Sequence, residues 1–184
     1  KKRITYPVQF IHIAYYSPIK DQHTLFSAFA KVAQIIDCRL TVIGSGYNVP
    51  EIPILLKELG ILELVTFTGE ISQSELPQYF DNANILLHTA RFETGCAVIQ
   101  EAMASGVAVC GTEVGILADI GERYAVVTAP QDPERLAEKI ISLVNNPQLY
   151  SSITKEAYQW ISRYDADWSC RNYLDFLTSQ LGKK

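Results

Sequence analysis

Glu93 and Glu101 stand with seven residues between them, and Gly95-Cys96-Ala97 lies in that interval where a loop turns into a helix. From Ala97 onward the apolar residues Ala97, Val98, Ala102 and Met103 recur at helical spacing, and Gly106 falls where a helix normally stops. The first amides of a helix have no partner within it and carry the positive end of its dipole, so this end favours a phosphate or carboxylate. Gly95, without a Cβ, lets the backbone approach a ligand closely and take positive φ at no steric cost. A carboxylate beside a phosphate is repelled by it, so the task left for Glu93 and Glu101 is to accept from neighbouring hydroxyls. A sugar nucleotide carries such hydroxyls on both sides of its diphosphate, on the ribose and on the sugar. Taken singly, Glu93 reads better as a solvated loop acid and Glu101 as an ordinary exposed helix residue.

Three other residue types invite chemistry. Lys20 sits at a helix start and taken alone reads as a solvated lysine, although facing the unfavourable end of the dipole mildly favours a ligand role. Cys96 could be a nucleophile, since helix N-termini lower thiol pKa, but with no histidine nearby in sequence it reads as a small residue fitting a tight turn. His88 ends an apolar run and reads as a satisfied core or edge histidine rather than a base. None of the three histidines is spaced with a cysteine or acid as a zinc site requires, so no metal and no cofactor is expected.

The elements that must position these residues alternate. VQFIHIA, from Val8, is a buried strand, and after Pro18 a helix capped by Asp21 carries Leu25, Phe26, Phe29, Val32, Ala33 and Ile36. RLTVIGSG is a second strand ending in a glycine turn, and a short helix through Leu55, Leu56 and Leu59 stops at Gly60. LVTFTG is a third strand, and Ser74 is expected to cap a helix with Pro77 in its first turn. NILLH, VAVCGT and YAVVT complete six strands, with GILADI as a helical turn before the last. Asp132-Pro133 starts another helix, and two amphipathic helices follow Pro147 with a break at 165–167. This order predicts an α/β fold: a Rossmann-like parallel sheet of about six strands, helices on both faces, and the C-terminal helices packed against it. Ligands bind outside the carboxyl ends of such strands.

A chain of 184 residues, 48% hydrophobic, is ample for one domain with a large core. A net charge of −4 without a basic stripe argues against nucleic acid as a partner. KKRITYP, residues 1–7, reads as linker rather than signal, no apolar run approaches a membrane span, and the four cysteines are scattered. These features point to a reducing, cytoplasmic compartment.

The stretch ETGCAVIQEAMASGVAV resembles the donor-site signature of retaining glycosyltransferases of family 4, with the GT-B fold, roughly E-x-x-G-x-x-x-x-E-A-x-A-x-G-x-P-V. Ala108 stands where the family usually has proline. YYSPIKDQHTLFSAF resembles the first strand-loop-helix, G-R-L-x-x-x-K-G, with Lys20 at the lysine and Tyr15 at the arginine. RLTVIGSG resembles the V-G-x-G turn through Gly46, VTFTGE the V-x-F-x-G strand end, and GTEVGILADI the V-G-G-x-x-D segment with Ile116 at the second glycine.

The resemblance implies the following site. Lys20 and the amides around Gly95, Cys96 and Ala97 neutralise the diphosphate of a UDP-, GDP- or ADP-sugar as the glycosidic bond breaks. Glu101 accepts from the ribose, Glu93 orients the donor sugar, and Gly46, Glu70 and Ile71 line the donor pocket. Lys20 and Glu93 are thereby the catalytic candidates, acting with retention of configuration and without a metal ion. A complete GT-B enzyme has two domains, and these motifs match the C-terminal, donor-binding one. The chain is therefore expected to need an N-terminal acceptor domain, through which alone any peripheral membrane association would come, and to be inactive without it. An inactive nucleotide-sugar-binding or regulatory module fits Tyr15 and Ile116, and a flavodoxin-like interaction domain would share the sheet without needing the glutamates.

Overall fold

The computed structural model of the chain describes residues 2–181. Strands β1 (Val8–Ile13), β2 (Cys38–Ile43), β3 (Val65–Gly69), β4 (Ile85–His88), β5 (Ala108–Thr112) and β6 (Val126–Thr128) form one sheet in the order β3-β2-β1-β4-β5-β6. Every neighbouring pair is parallel, and Phe10 lies opposite both Leu40 and Ile85. Strands covered on both faces need no polar side, which is why ILLH and AVCGT are buried at every position.

Eight α-helices accompany the strands among the described residues: α1 (Gln22–Ala33), α2 (Glu51–Glu58), α3 (Leu76–Asn82), α4 (Ala97–Ala104), α5 (Ile116–Ile120), α6 (Pro133–Val144), α7 (Pro147–Ile161) and α8 (Ala166–Leu181). Alternation along each strand divides the core in two. Phe10, Leu87 and Cys110 face one cluster with Phe26 of α1 and Ile140 of α6. Ile11, Leu86 and Val109 face the other, with Ile99 and Met103 of α4 and Leu117 of α5. This six-stranded parallel sheet with helices on both faces is the predicted architecture.

Asp21 caps α1 by accepting from the Thr24 hydroxyl at 2.8 Å and its N–H at 3.4 Å, and Asp132 caps α6 through the Arg135 N–H at 2.9 Å. The start of α3 differs from expectation. Ser74 does not cap it; the Glu75 carboxylate instead takes both the N–H and the O–H of Ser72, at 2.9 and 2.6 Å, and Ser74 bonds only the Ser72 hydroxyl. A carboxylate acceptor makes the stronger bonds and wins the turn. The C-terminal helices also divide. α7 packs on the sheet through Tyr150, Ile153 and Ala157, but α8 does not, since residues 166–180 are all exposed. Among the described residues no helix is long and apolar enough to cross a membrane.

The strand order reverses between β1 and β4. The chain leaving β1 runs to α1 on one face of the sheet and the chain leaving β4 to α4 on the other, the place where ligands bind in sheets of this kind. The loop after β1 leads to Lys20, and the loop after β4 to Glu93.

Candidate functional site

Hydrogen bonds to backbone carbonyls lace these two loops together. The Thr89 hydroxyl meets the carbonyls of Lys20 and Asp21 at 3.1 and 3.2 Å, and the Arg91 N–H donates to the Ile19 carbonyl at 2.7 Å. Asp21, held at φ 47 after the short 3-10 turn Pro18–Lys20, also accepts from the Arg91 guanidinium at 3.3 Å. So anchored, Lys20 Nζ donates to Glu93 Oε2 at 2.6 Å, each side chain only 14% exposed. The other Glu93 oxygen accepts from the Thr94 N–H at 3.2 Å. Burial pushes the Glu93 carboxyl up, but the hydrogen bond and charge of Lys20, helped by Thr94, hold it below its ordinary value. The Glu93 carboxyl is thus held in its ionised form.

The turn into α4 follows at once. Cys96 is its N-cap residue, in extended conformation with φ −120°, and makes no side-chain cap bond. Among the described residues nothing accepts from the backbone N–H of Gly95, Cys96 or Ala97. These amides are the free positive end of an eight-residue helix. Gly95 contributes in a way other than expected. Its φ is not positive, and a Cβ there would meet nothing within 4 Å, so it provides room in front of the turn rather than an unusual backbone. The left-handed conformation falls instead on Gly115, at φ 53, where a Cβ would lie 2.9 Å from the Glu93 carbonyl. Only glycine lets this second loop press against the Glu93 backbone, a supporting role for the first glycine of the V-G-G-x-x-D segment.

His88 is not the satisfied histidine expected from its place at a strand end. It is 1% exposed, neither ring nitrogen has a hydrogen-bond partner among the described residues, and Nε2 lies 3.6 Å from Glu93 Oε2. Burial, reinforced by His12 and Lys20, lowers its pKa to about 3 against the pull of Glu93, so the ring is neutral. Neighbouring His12 donates from Nδ1 to the Leu87 carbonyl at 2.8 Å and is likewise lowered, chiefly by burial, to about 4. Burial also pushes the Cys96 thiol up, which denies it the thiolate a nucleophile needs. The curl of the loop brings ligand atoms of His88, Glu93 and Cys96 within 4.8 Å of one another, a grouping absent from the spacing-based reading.

The remaining predicted residues line the same edge of the sheet. Ile71 and Glu70 border a cavity of about 350 Å³ with Ile13, Tyr15 and Gly44 at the ends of β1, β2 and β3. Gly46 borders an adjoining one of about 540 Å³ with Tyr47 and Gly69. Gly44, at φ 135, permits this shape, because a Cβ there would lie 2.0 Å from the Ala14 carbonyl oxygen. Tyr15, at the position where the resemblance calls for arginine, is exposed at the mouth. Glu101 is half-buried one turn into α4, without a side-chain hydrogen bond among the described residues. Lys20, Glu93, Gly95, Cys96 and Ala97 thus form one group at the start of α4. Ile71 and Gly46 form a second around the ends of β2 and β3.

Comparison with other proteins extends this picture. The family described as Glycosyl transferases group 1 matches residues 2–160. An N-acetyl-alpha-D-glucosaminyl L-malate synthase of Bacillus anthracis is 27% identical over 149 residues, covering 80% of this chain and 39% of that protein. The crystal structure of the Anabaena protein HepE in complex with UDP superposes with a TM-score of 0.83 at 25% identity, over 93% of this chain and 48% of that one. A C-terminal domain of a Francisella tularensis glycosyl transferase group 1 protein, LpcC, shares the fold at TM-score 0.79 and 20% identity, over 89% of each chain. The chain therefore spans less than half the length of the first two proteins and nearly all of the third.

Proposed function

The chain belongs to the group 1 glycosyl transferases, and from that premise we propose that it is the donor-binding half of a retaining, metal-independent glycosyltransferase. The observation that carries this reading is the meeting of Lys20 and Glu93 beside three unpartnered amides at the point where strand order reverses. Lys20 and the amides of Gly95, Cys96 and Ala97 take the diphosphate and offset its growing charge as the sugar leaves, the work a metal ion does elsewhere. Glu93 holds hydroxyls of the sugar, and Glu101 those of the ribose. The base lies in the cavity bordered by Ile71 and Glu70. The relative bound to UDP supports a nucleoside-diphosphate sugar as donor, and the proposal keeps UDP, GDP and ADP as the candidate carriers.

The chain's share of its relatives' length supports a missing acceptor-binding half, without which transfer is slow or absent. α8 supplies a place for it: Trp168, Tyr173, Leu174 and Phe176 leave large apolar surface uncovered on one helix. Tyr15, in place of a positive charge, favours a second reading, a binding module without activity.

A thermal-shift panel tests the first step. UDP, GDP or ADP should raise the melting temperature of this chain, and Lys20→Ala should weaken the diphosphate far more than the nucleoside. Joining the native N-terminal half should then give transfer that a chelator does not diminish, with the anomeric configuration of the donor kept in the NMR spectrum of the product. Binding without transfer in the joined protein would select the inactive module, and no stabilisation by any nucleotide would reject both.

A further inference from the structure

We propose that His88 Nε2, a Glu93 carboxylate oxygen and Cys96 Sγ form a binding site for a divalent transition ion, zinc above all, which takes the place Lys20 Nζ holds beside Glu93. The three ligand atoms already lie within 4.8 Å of one another. Zinc binds nitrogen, oxygen and sulfur at about 2.0–2.3 Å, which sets tetrahedral ligand atoms roughly 3.3–3.8 Å apart. The His88–Glu93 contact, at 3.6 Å, has that spacing now. Closing the rest needs rotation of the Glu93 side chain, 14% exposed, and of the buried Cys96 side chain beside it, while His88 stays where β4 fixes it.

Two further features point the same way. His88 is buried with neither nitrogen bonded and Nε2 aimed at Glu93, an arrangement that is costly unless a partner completes it. Cys96 falls, counting from Glu93, on the fourth position of the E-x-x-G pattern, so a thiol stands where the pattern has glycine. On binding, the thiol releases its proton to solvent and the thiolate and carboxylate together balance the ion's charge. Lys20 then loses its carboxylate and swings out. The ion is an inhibitor and not a cofactor, because Glu93 is no longer free to hold a sugar; this clause alone rests on the donor reading.

Cobalt titration of the metal-free chain tests the site. The expected result is a thiolate-to-cobalt charge-transfer band in the near ultraviolet, removed by zinc. Cys170→Ser, at the exposed cysteine, should keep the band. Cys96→Ser should abolish it, and serine at an N-cap keeps the helix. His88→Gln should weaken cobalt binding roughly tenfold or more. Lys20→Ala should tighten it several-fold by removing the competing cation. No band in the parent chain, a band that survives Cys96→Ser, or one lost with Cys170→Ser overturns the site; unchanged or weaker binding in Lys20→Ala overturns the displacement. Nucleotide binding measured with a chelator present tests the donor reading separately.

Discussion

Lys20 and Glu93, 73 positions apart in the chain, close a 2.6 Å ion pair where the sheet changes direction. Neither side chain is free while the pair holds. In the proposed function a donor exchanges partners with it, phosphate taking Lys20 and sugar hydroxyls taking Glu93. That exchange costs less than parting two solitary buried charges, because each ion receives a new partner as it leaves the old one.

Glu93→Gln separates the two halves of the exchange. Free of its carboxylate, Lys20 should bind a nucleoside diphosphate about 1 kcal/mol more tightly, while the nucleotide sugar loses its gain over the diphosphate. Calorimetry with both ligands reads this directly, and parallel losses for the two would contradict it.

The ribose role proposed for Glu101 has its own test. Its replacement by alanine should weaken nucleotide binding by roughly 1.5–3 kcal/mol, the worth of a hydrogen bond to a charged group, and leave the melting temperature of the free chain nearly unchanged. A 2′-deoxynucleotide should bind parent and variant with closer affinities than the ribonucleotide does. Equal discrimination in the two proteins would remove Glu101 from the site.

The parts of this arrangement that depend on local chemistry were legible before any coordinates. Phe10, Ile11, Leu86 and Leu87 read as strands because a parallel sheet buries both faces, and Asp21 and Asp132 announced their helices because a short acidic side chain reaches the first free amides. The meeting of Lys20 with Glu93 was implied by resemblance alone, since adjacency of β1 and β4 is a property of strand order that no local pattern encodes. His88 was misread for the same reason: its lack of partners follows from the loop that curls over it, and Gly115 holds that loop from a third segment. Ser74 lost its cap to Glu75 because a serine and a nearby carboxylate compete for one turn. α8 has an amphipathic sequence like α7, and periodicity does not say which surface a helix will meet.

The buried histidines set the acid limit of stability. Below about pH 6.5 the unfolded chain takes up protons at His12 and His88, while the folded chain resists until about pH 4 and about pH 3 respectively. The unfolded state therefore binds more protons across that window, and stability should fall as pH drops through it, by about 1.4 kcal/mol per pH unit for each histidine. Urea midpoints from pH 7 to pH 4 measure the slope. His88→Leu, an apolar group of similar size for a ring without partners, should flatten it and cost little at pH 7; an unaltered slope would mean that His88 is protonated in the fold.

Gly44 and Gly60 both have positive φ, yet only Gly44 is also crowded, by the Ala14 carbonyl. Gly60→Ala should cost about 1–2 kcal/mol for the left-handed backbone alone. Gly44→Ala should cost more and also disturb nucleotide binding, because β1 and β2 must part where the cavity lies. Equal unfolding midpoints for the two variants would show that the close approach is unimportant.

Amide resonances of the chain titrated with UDP and GDP test the central claim most directly. The account predicts that Gly95, Cys96 and Ala97 shift furthest and saturate together with Lys20, each N–H moving as it gains a phosphate oxygen. Saturable binding that leaves those three amides in place, with the shifts gathered elsewhere, would contradict it.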